Sequence, residues 1–138
     1  MNKREKWFLF LAIAVLVIGT VWYTYEKQIV SIRLEYADAA LSGENGRVPF
    51  KEKTFTDTHD LDTFKHAMSK ARKLSGDLDY AVLFWMYVTL RDGTQKKYVL
   101  NINEENEGDA LLANVKSGKV FSIPKDEADP LRPIIYSE

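Results

Sequence analysis

From Trp7 to Tyr25 the chain runs nineteen residues without a charged side chain, WFLFLAIAVLVIGTVWYTY, and this stretch limits what the rest can be. At about 1.5 Å per residue, a helix of that length comes close to spanning the roughly 30 Å of a hydrocarbon core. Trp7 at one end and Trp22, Tyr23 and Tyr25 at the other are amphipathic rings placed where the two membrane interfaces would fall. Lys3, Arg4 and Lys6 precede the segment with only Glu5 against them. That basic lead holds the N-terminus in the cytoplasm and sends the remainder across. A cleavable signal has a shorter apolar stretch and small residues at its cut, whereas this one leaves through bulky rings. A soluble core helix would need a larger partner domain than the chain has. The expected organisation is a cytoplasmic N-terminus (1–6), a transmembrane anchor (7–25) and an extracytoplasmic domain (26–138), single-pass in the cell membrane.

Removing Lys3, Arg4, Lys6 and Glu5 from chain totals of 19 basic and 20 acidic residues leaves 16 and 19 for residues 26–138, a net charge of minus 3. Such a balance argues against nucleic acid as a partner, since phosphate neutralisation needs a broad basic surface. With no cysteine in the chain, disulfides, thiolate metal sites, thiol catalysis and lipid-modified cysteine are all excluded.

Beyond residue 26 the patterning is that of one α+β domain. Ile32, Leu34 and Tyr36 alternate with Arg33 and Glu35, which predicts a half-buried strand over 28–36. SGENGR at 42–47 is turn chemistry, and an extended pattern resumes over 48–56, ending in Phe55. The stretch DTHDLDTFKHAMSKARKLSG places Leu61, Phe64, Met68 and Ala71 at helical spacing. It opens on the capping candidates Asp57, Thr58 and Asp60, carries Lys70, Arg72 and Lys73 in its last turns and closes on Gly76. Tyr80 to Leu90 is a long run of aromatic and β-branched residues, followed by Asp92-Gly93, a dipeptide suited to a two-residue hairpin turn. That turn would set Tyr87 opposite Tyr98, Trp85 opposite Leu100 and Leu83 opposite Ile102, making these six the helix-covered face. Two short strands, 110–115 and 119–123, are joined by Lys116-Ser117-Gly118, and a tail with three prolines is expected to wrap irregularly. The expected fold is an antiparallel β-sheet of five or six strands with one helix packed on a face.

Candidate chemistry is sparse. His59, Asp62 and His66 share one side of the helix at spacings that could ligate a divalent ion, but that side lies opposite the apolar stripe and reads as a solvated face. Asn103, Glu105, Glu107 and Gly108 resemble the start of a calcium loop, yet Asn114 stands where the bidentate glutamate is needed. There is no nucleophile elbow and no Gly-rich phosphate loop, so the expectation is a chain that is not an enzyme and has no cofactor. On the opposite hairpin face, Phe84, Met86, Val88 and Val99 would form a contiguous apolar patch. Either they contact a partner, or the tail with Leu131, Ile134 and Ile135 folds over them as core.

The run TFTD…DLDTFKHAMSKARKLSGDLDYAVLFWMYVTLRDGTQKKYVLNI…ALLANVKSGKVFSIP resembles the small membrane-anchored extracytoplasmic domains of Gram-positive bacteria grouped as YhfM-like, over roughly residues 28–123. The resemblance implies an α+β domain outside the cell membrane. Two departures are the lack of a lipid-accepting cysteine and a Pro-rich ending in place of a closing helix. The expected function is a non-catalytic, membrane-anchored binding domain of the cell envelope. Its partners would be the lipid bilayer and either another cell-envelope protein or itself, with no small molecule evident. The alternative is an extracytoplasmic ligand or divalent-ion sensor.

Overall fold

The computed structural model describes residues 2–37, 49–76, 78–105 and 108–137. The turn segment 42–47, residue 48 and Glu107 of the calcium-loop candidate lie outside them. Helix α1 (Lys3–Glu26) is long and apolar enough to span a membrane, and none of its residues is buried. Its apolar character runs all the way round with no polar stripe. The belt residues Trp7, Trp22, Tyr23 and Tyr25 are 48–65 % exposed.

Only two residues separate α1 from strand β1 (Ile29–Tyr36). There follow β2 (Glu52–Phe55), α2 (Thr58–Ser69), β3 (Arg72–Lys73), β4 (Phe84–Leu90), β5 (Gln95–Asn101), β6 (Ala110–Asn114), β7 (Val120–Ile123), α3 (Lys125–Ala128) and α4 (Leu131–Tyr136). The strands form one antiparallel sheet in the order β2-β1-β4-β5-β6-β7-β3. The α+β class stands, with seven strands among the described residues and short helices added at the C-terminus.

The hairpin β4–β5 departs from the sequence expectation by one residue. Leu90 N donates to Thr94 O at 2.8 Å and Gly93 N to Leu90 O at 3.0 Å, so the connection is the three residues Arg91, Asp92 and Gly93. Gly93 sits at φ +88°, and the Asp92 carboxylate accepts from Thr94 N at 2.9 Å, which favours the longer turn. Tyr87 therefore opposes Lys97, Trp85 opposes Val99 and Phe84 opposes Leu100. Because side chains alternate with period two, this single residue brings Phe84, Met86 and Val88, in place of Trp85 and Tyr87, to the face of Tyr98, Leu100 and Ile102, which stay with the core as expected. The core face carries Phe84, Met86, Val88, Leu90 and Leu100, continued by Ile32 and Leu34 on β1 and Leu112 on β6.

Helix α2 packs on that face through Leu61, Phe64 and Ala67, with Asp57 capping its start by accepting from Asp60 N. It ends at Ser69 rather than at Gly76. Arg72 and Lys73 turn away to pair with Ser122 and Phe121, and Leu74 N donates to Val120 O. Pairing with the open edge of β7 prevails over helix propensity in this stretch. The tail is helical rather than irregular, so the closing helix thought missing is present. Pro124 and Pro130 sit at the N-caps of α3 and α4, and Pro133 lies in the first turn of α4, where the amide hydrogen it lacks has no intrahelical acceptor. Ala128, Leu131 and Ile135 enter the core, and the Tyr136 ring meets Phe84 edge-on at 6.1 Å.

Polar contacts fix the tail. Arg132, 6 % exposed, donates from Nε to Asn103 O at 3.0 Å and from its guanidinium to Gly108 O at 2.8 Å, and pairs with Asp129. The Tyr136 hydroxyl donates to Ile102 O at 2.6 Å, and burial pushes its pKa above the usual phenol range. Lys53 Nζ, reaching from β2, donates to the carbonyls of Ile134, Ile135 and Ser137 at the C-terminal end of α4.

A methyl group at residue 93 would meet no atom within 4 Å, so the effect of Gly93→Ala is conformational alone. The expected destabilisation is about 1–2 kcal/mol, read from urea unfolding of the full chain in maltoside micelles. Gly93→Asn should recover much of it.

Candidate functional site

Helices α2, α3 and α4 all contribute to the core face, which leaves the other face of the sheet without a helix among the described residues. Its side chains follow from strand register. One row across six strands reads Glu52, Glu35, Trp85, Val99, Ala113 and Val120. The next row reads Thr54, Arg33, Tyr87 and Lys97. Glu35 and Glu52 stand directly opposite each other, and Arg33 offsets their repulsion at 3.4 Å and 3.8 Å.

Cations lie against the rings of both rows. Lys97 Nζ is 4.2 Å from the centre of the Trp85 ring and 5.5 Å from that of Tyr87, while the Arg33 guanidinium carbon is 4.5 Å from Tyr87. Each such contact at a partly exposed position contributes about 0.5–1 kcal/mol and holds the ring in place. Arg33 Nε is shielded from water and makes no hydrogen bond among the described residues. The result is a surface of aromatic rings and a guanidinium, types enriched where protein surfaces meet, on which Lys97, of a type depleted there, is held by the rings it covers.

The expected partner patch is redistributed by the register change. Phe84, Met86 and Val88 are 0–2 % exposed and belong to the core that α2 and the C-terminal helices share, with Tyr136 of the tail against Phe84. Val99 lies on the helix-free face, also buried, in register between Trp85 and Ala113. Sequence reasoning missed Arg33 and Lys97 because their meaning depends on which rings they face: for Lys97 the turn length decides it, and for Arg33 the long-range pairing of β1 with β4.

The three residues weighed as metal ligands are not brought together. His59 lies 3.7 Å from Asp60, Asp62 lies 3.6 Å from Lys65, and His66 Nε2 meets the Glu127 carboxylate at 2.8 Å. A different trio, Asp57, His59 and Asp60, has ligand atoms within 4.8 Å of one another, on the exposed first turn of α2 where Asp57 already serves as the cap.

A second polar assembly ties α1 to the domain. Asp92 N donates to Glu26 O at 3.1 Å, Arg91 N donates to Gln28 O at 2.8 Å, and Lys27 Nζ meets Asp92 Oδ2 at 3.0 Å. Hydrogen bonds from Thr94 first, and from Lys27, lower the Asp92 carboxyl to about 2. A carboxyl depressed in this way contributes stability that is present above the ordinary carboxylate range and lost as pH falls through about 2.

A family model described as YhfM protein matches residues 42–138. No curated protein matches the chain. Among solved structures, the chain is similar to a thioesterase-like protein from Clostridium sporogenes ATCC 15579, with 13 % identity, a TM-score of 0.52, and coverage of 80 % of this chain and 95 % of that one. At that identity the likeness is one of fold. It nonetheless corrects the expectation that the chain is not an enzyme. That expectation rested on missing sequence motifs, and a fold shared with a thioesterase-like protein removes their absence as grounds for exclusion.

The face assignment has a direct test. Met86→Lys should unfold the domain by burying an unpaired charge, whereas Trp85→Gln, one residue away, should cost no more than about 1–2 kcal/mol. Circular dichroism and urea midpoints of the two full-length variants distinguish them. Equal damage from both would mean that the open face is packed.

Proposed function

The chain belongs to the YhfM family, and from that membership together with its N-terminal helix we propose a single-pass membrane protein that carries this family's domain on the outer side of the cytoplasmic membrane, where its open sheet face binds another envelope protein. One observation carries the reading. Helix α1 is apolar on every side and buried nowhere, and a helix of that kind finds its complement in lipid. The aromatic residues at both ends and the basic lead at Lys3, Arg4 and Lys6 support the orientation, with the N-terminus in the cytoplasm. The open face supports the binding role, because its rings and cations are held in place before any partner arrives.

Two measurements test this reading. The full-length chain should stay with membranes through alkaline carbonate washing and leave only with detergent. Protease added to intact cells should digest the domain. Release by carbonate would remove the anchor, and a protected domain in cells whose known surface proteins are cut would reverse the orientation. For the binding face, Tyr87→Ala combined with Lys97→Glu should reduce crosslinking to envelope proteins about tenfold or more while the domain stays folded. Undiminished crosslinking would place the contact elsewhere.

A second reading, hydrolysis of acyl thioesters, is favoured by the fold shared with the thioesterase-like protein. Incubating the full chain in maltoside micelles with acyl-coenzyme A of short, medium and long chain length and following thiol release decides it. Release at the buffer rate for every chain length would set this reading aside.

A further inference from the structure

Beside the collar lies a cleft of about 270 Å³, between the start of β1, the first two turns of α2 and the hairpin turn. We propose that this cleft is a site for the phosphate of a phospholipid headgroup. The inference rests on the anchoring reading above and adds a specific contact between the domain and the lipid surface.

Position is the first argument. Gln28, which borders the cleft, follows Tyr25, the last ring of the aromatic belt, by three residues. The collar bonds hold the hairpin turn at the same level as the end of α1. The headgroup layer on each side of a bilayer is about 5–8 Å deep, which is the distance that a few residues cover. With α1 across a bilayer, the cleft opens into that layer.

Chemistry is the second argument. Lys65 and Asp62, 3.6 Å apart, offset each other, so the positive charge in surplus on the lining is that of Arg91. Gln28 and Thr58 add an amide and a hydroxyl as hydrogen-bond donors, above a floor of Ile29 and Leu61. The Arg91 guanidinium is stacked 4.4 Å from the centre of the Tyr25 ring, and among the described residues it has no ion-pair partner. A stacked guanidinium keeps its N–H edges free, and their planar fork matches two oxygens of one phosphate. Asp57 at the N-cap of α2 and Asp60 in its first turn oppose an anion here, and the repulsion grows with the anion's charge, so a headgroup with one phosphate is disfavoured least.

Maltoside micelles contain no phosphate, which makes the test clean. The isotope-labelled full chain in such micelles is titrated with short-chain phosphatidylglycerol, with glycerol 3-phosphate and with inorganic phosphate, following the amide signals of Gln28, Thr58 and Arg91 by NMR. Saturable shifts at these residues with the lipid, weakened about tenfold in Arg91→Gln and in Lys65→Gln, are expected. Equal binding of glycerol 3-phosphate or inorganic phosphate would make this a soluble-phosphate site and overturn the proposal. So would shifts that do not saturate, or an affinity untouched in both variants. Carbonate extraction of the same variants from membranes reports anchoring separately, so a failed anchor and a failed lipid site give different results.

Discussion

Strand β4 holds the structure together because both of its neighbours depend on its register. It pairs with β1 on one side and β5 on the other, and it alternates Phe84, Met86, Val88 and Leu90 with Trp85, Tyr87 and Thr89. Both sets contain large side chains, so hydrophobicity alone does not say which belongs inside. The three-residue turn at Arg91–Gly93 makes the choice. Once Phe84 opposes Leu100, the aliphatic set and Phe84 face the helices. The rings that can share their surface with a cation or with water are then left outside.

This explains which parts of the fold were legible in the sequence. The apolar helix, the half-buried strand β1, the Asp57 cap and the β6–β7 pair each rest on local periodicity or on a single capping residue, and each lies where the pattern put it. The hairpin location was equally plain, since Asp-Gly marks it. Its register was not. Two-residue and three-residue turns both accommodate Asp-Gly, and the preference for the longer one comes from the Asp92 carboxylate accepting the Thr94 amide and from the bonds to Glu26 and Gln28, contacts that the local pattern does not reveal. The candidate patch of Phe84, Met86, Val88 and Val99 inherited that one-residue ambiguity. So did the blindness to Lys97, whereas Arg33 was hidden by the long-range pairing of β1 with β4.

The other departures share a cause, which is tertiary structure prevailing over local preference. Arg72 and Lys73 have good helix propensity but serve an unpaired strand edge. Three prolines suggested an irregular tail, yet each lies where a helix start has no need of an amide hydrogen, and the helices they open carry Leu131 and Ile135 into the core. Arg132 completes the arrangement by satisfying carbonyls at Asn103 and Gly108 that would otherwise face the tail unpaired. A buried arginine in the first turn of α4 is not a feature that hydrophobic patterning can anticipate.

The connection between α1 and the sheet bears on either functional reading. Two residues join the helix to β1, and β1 lies beside β4, so the collar at Lys27 and Asp92 fixes the sheet directly to the end of the anchor rather than through a flexible tether. A tethered domain samples many orientations and gives up part of any contact energy to ordering. A collared one holds its helix-free face and the cleft at set positions relative to α1 before anything binds. On the proposed anchoring, whatever the Trp85–Tyr87–Lys97 surface meets must therefore do so at a fixed height above the bilayer.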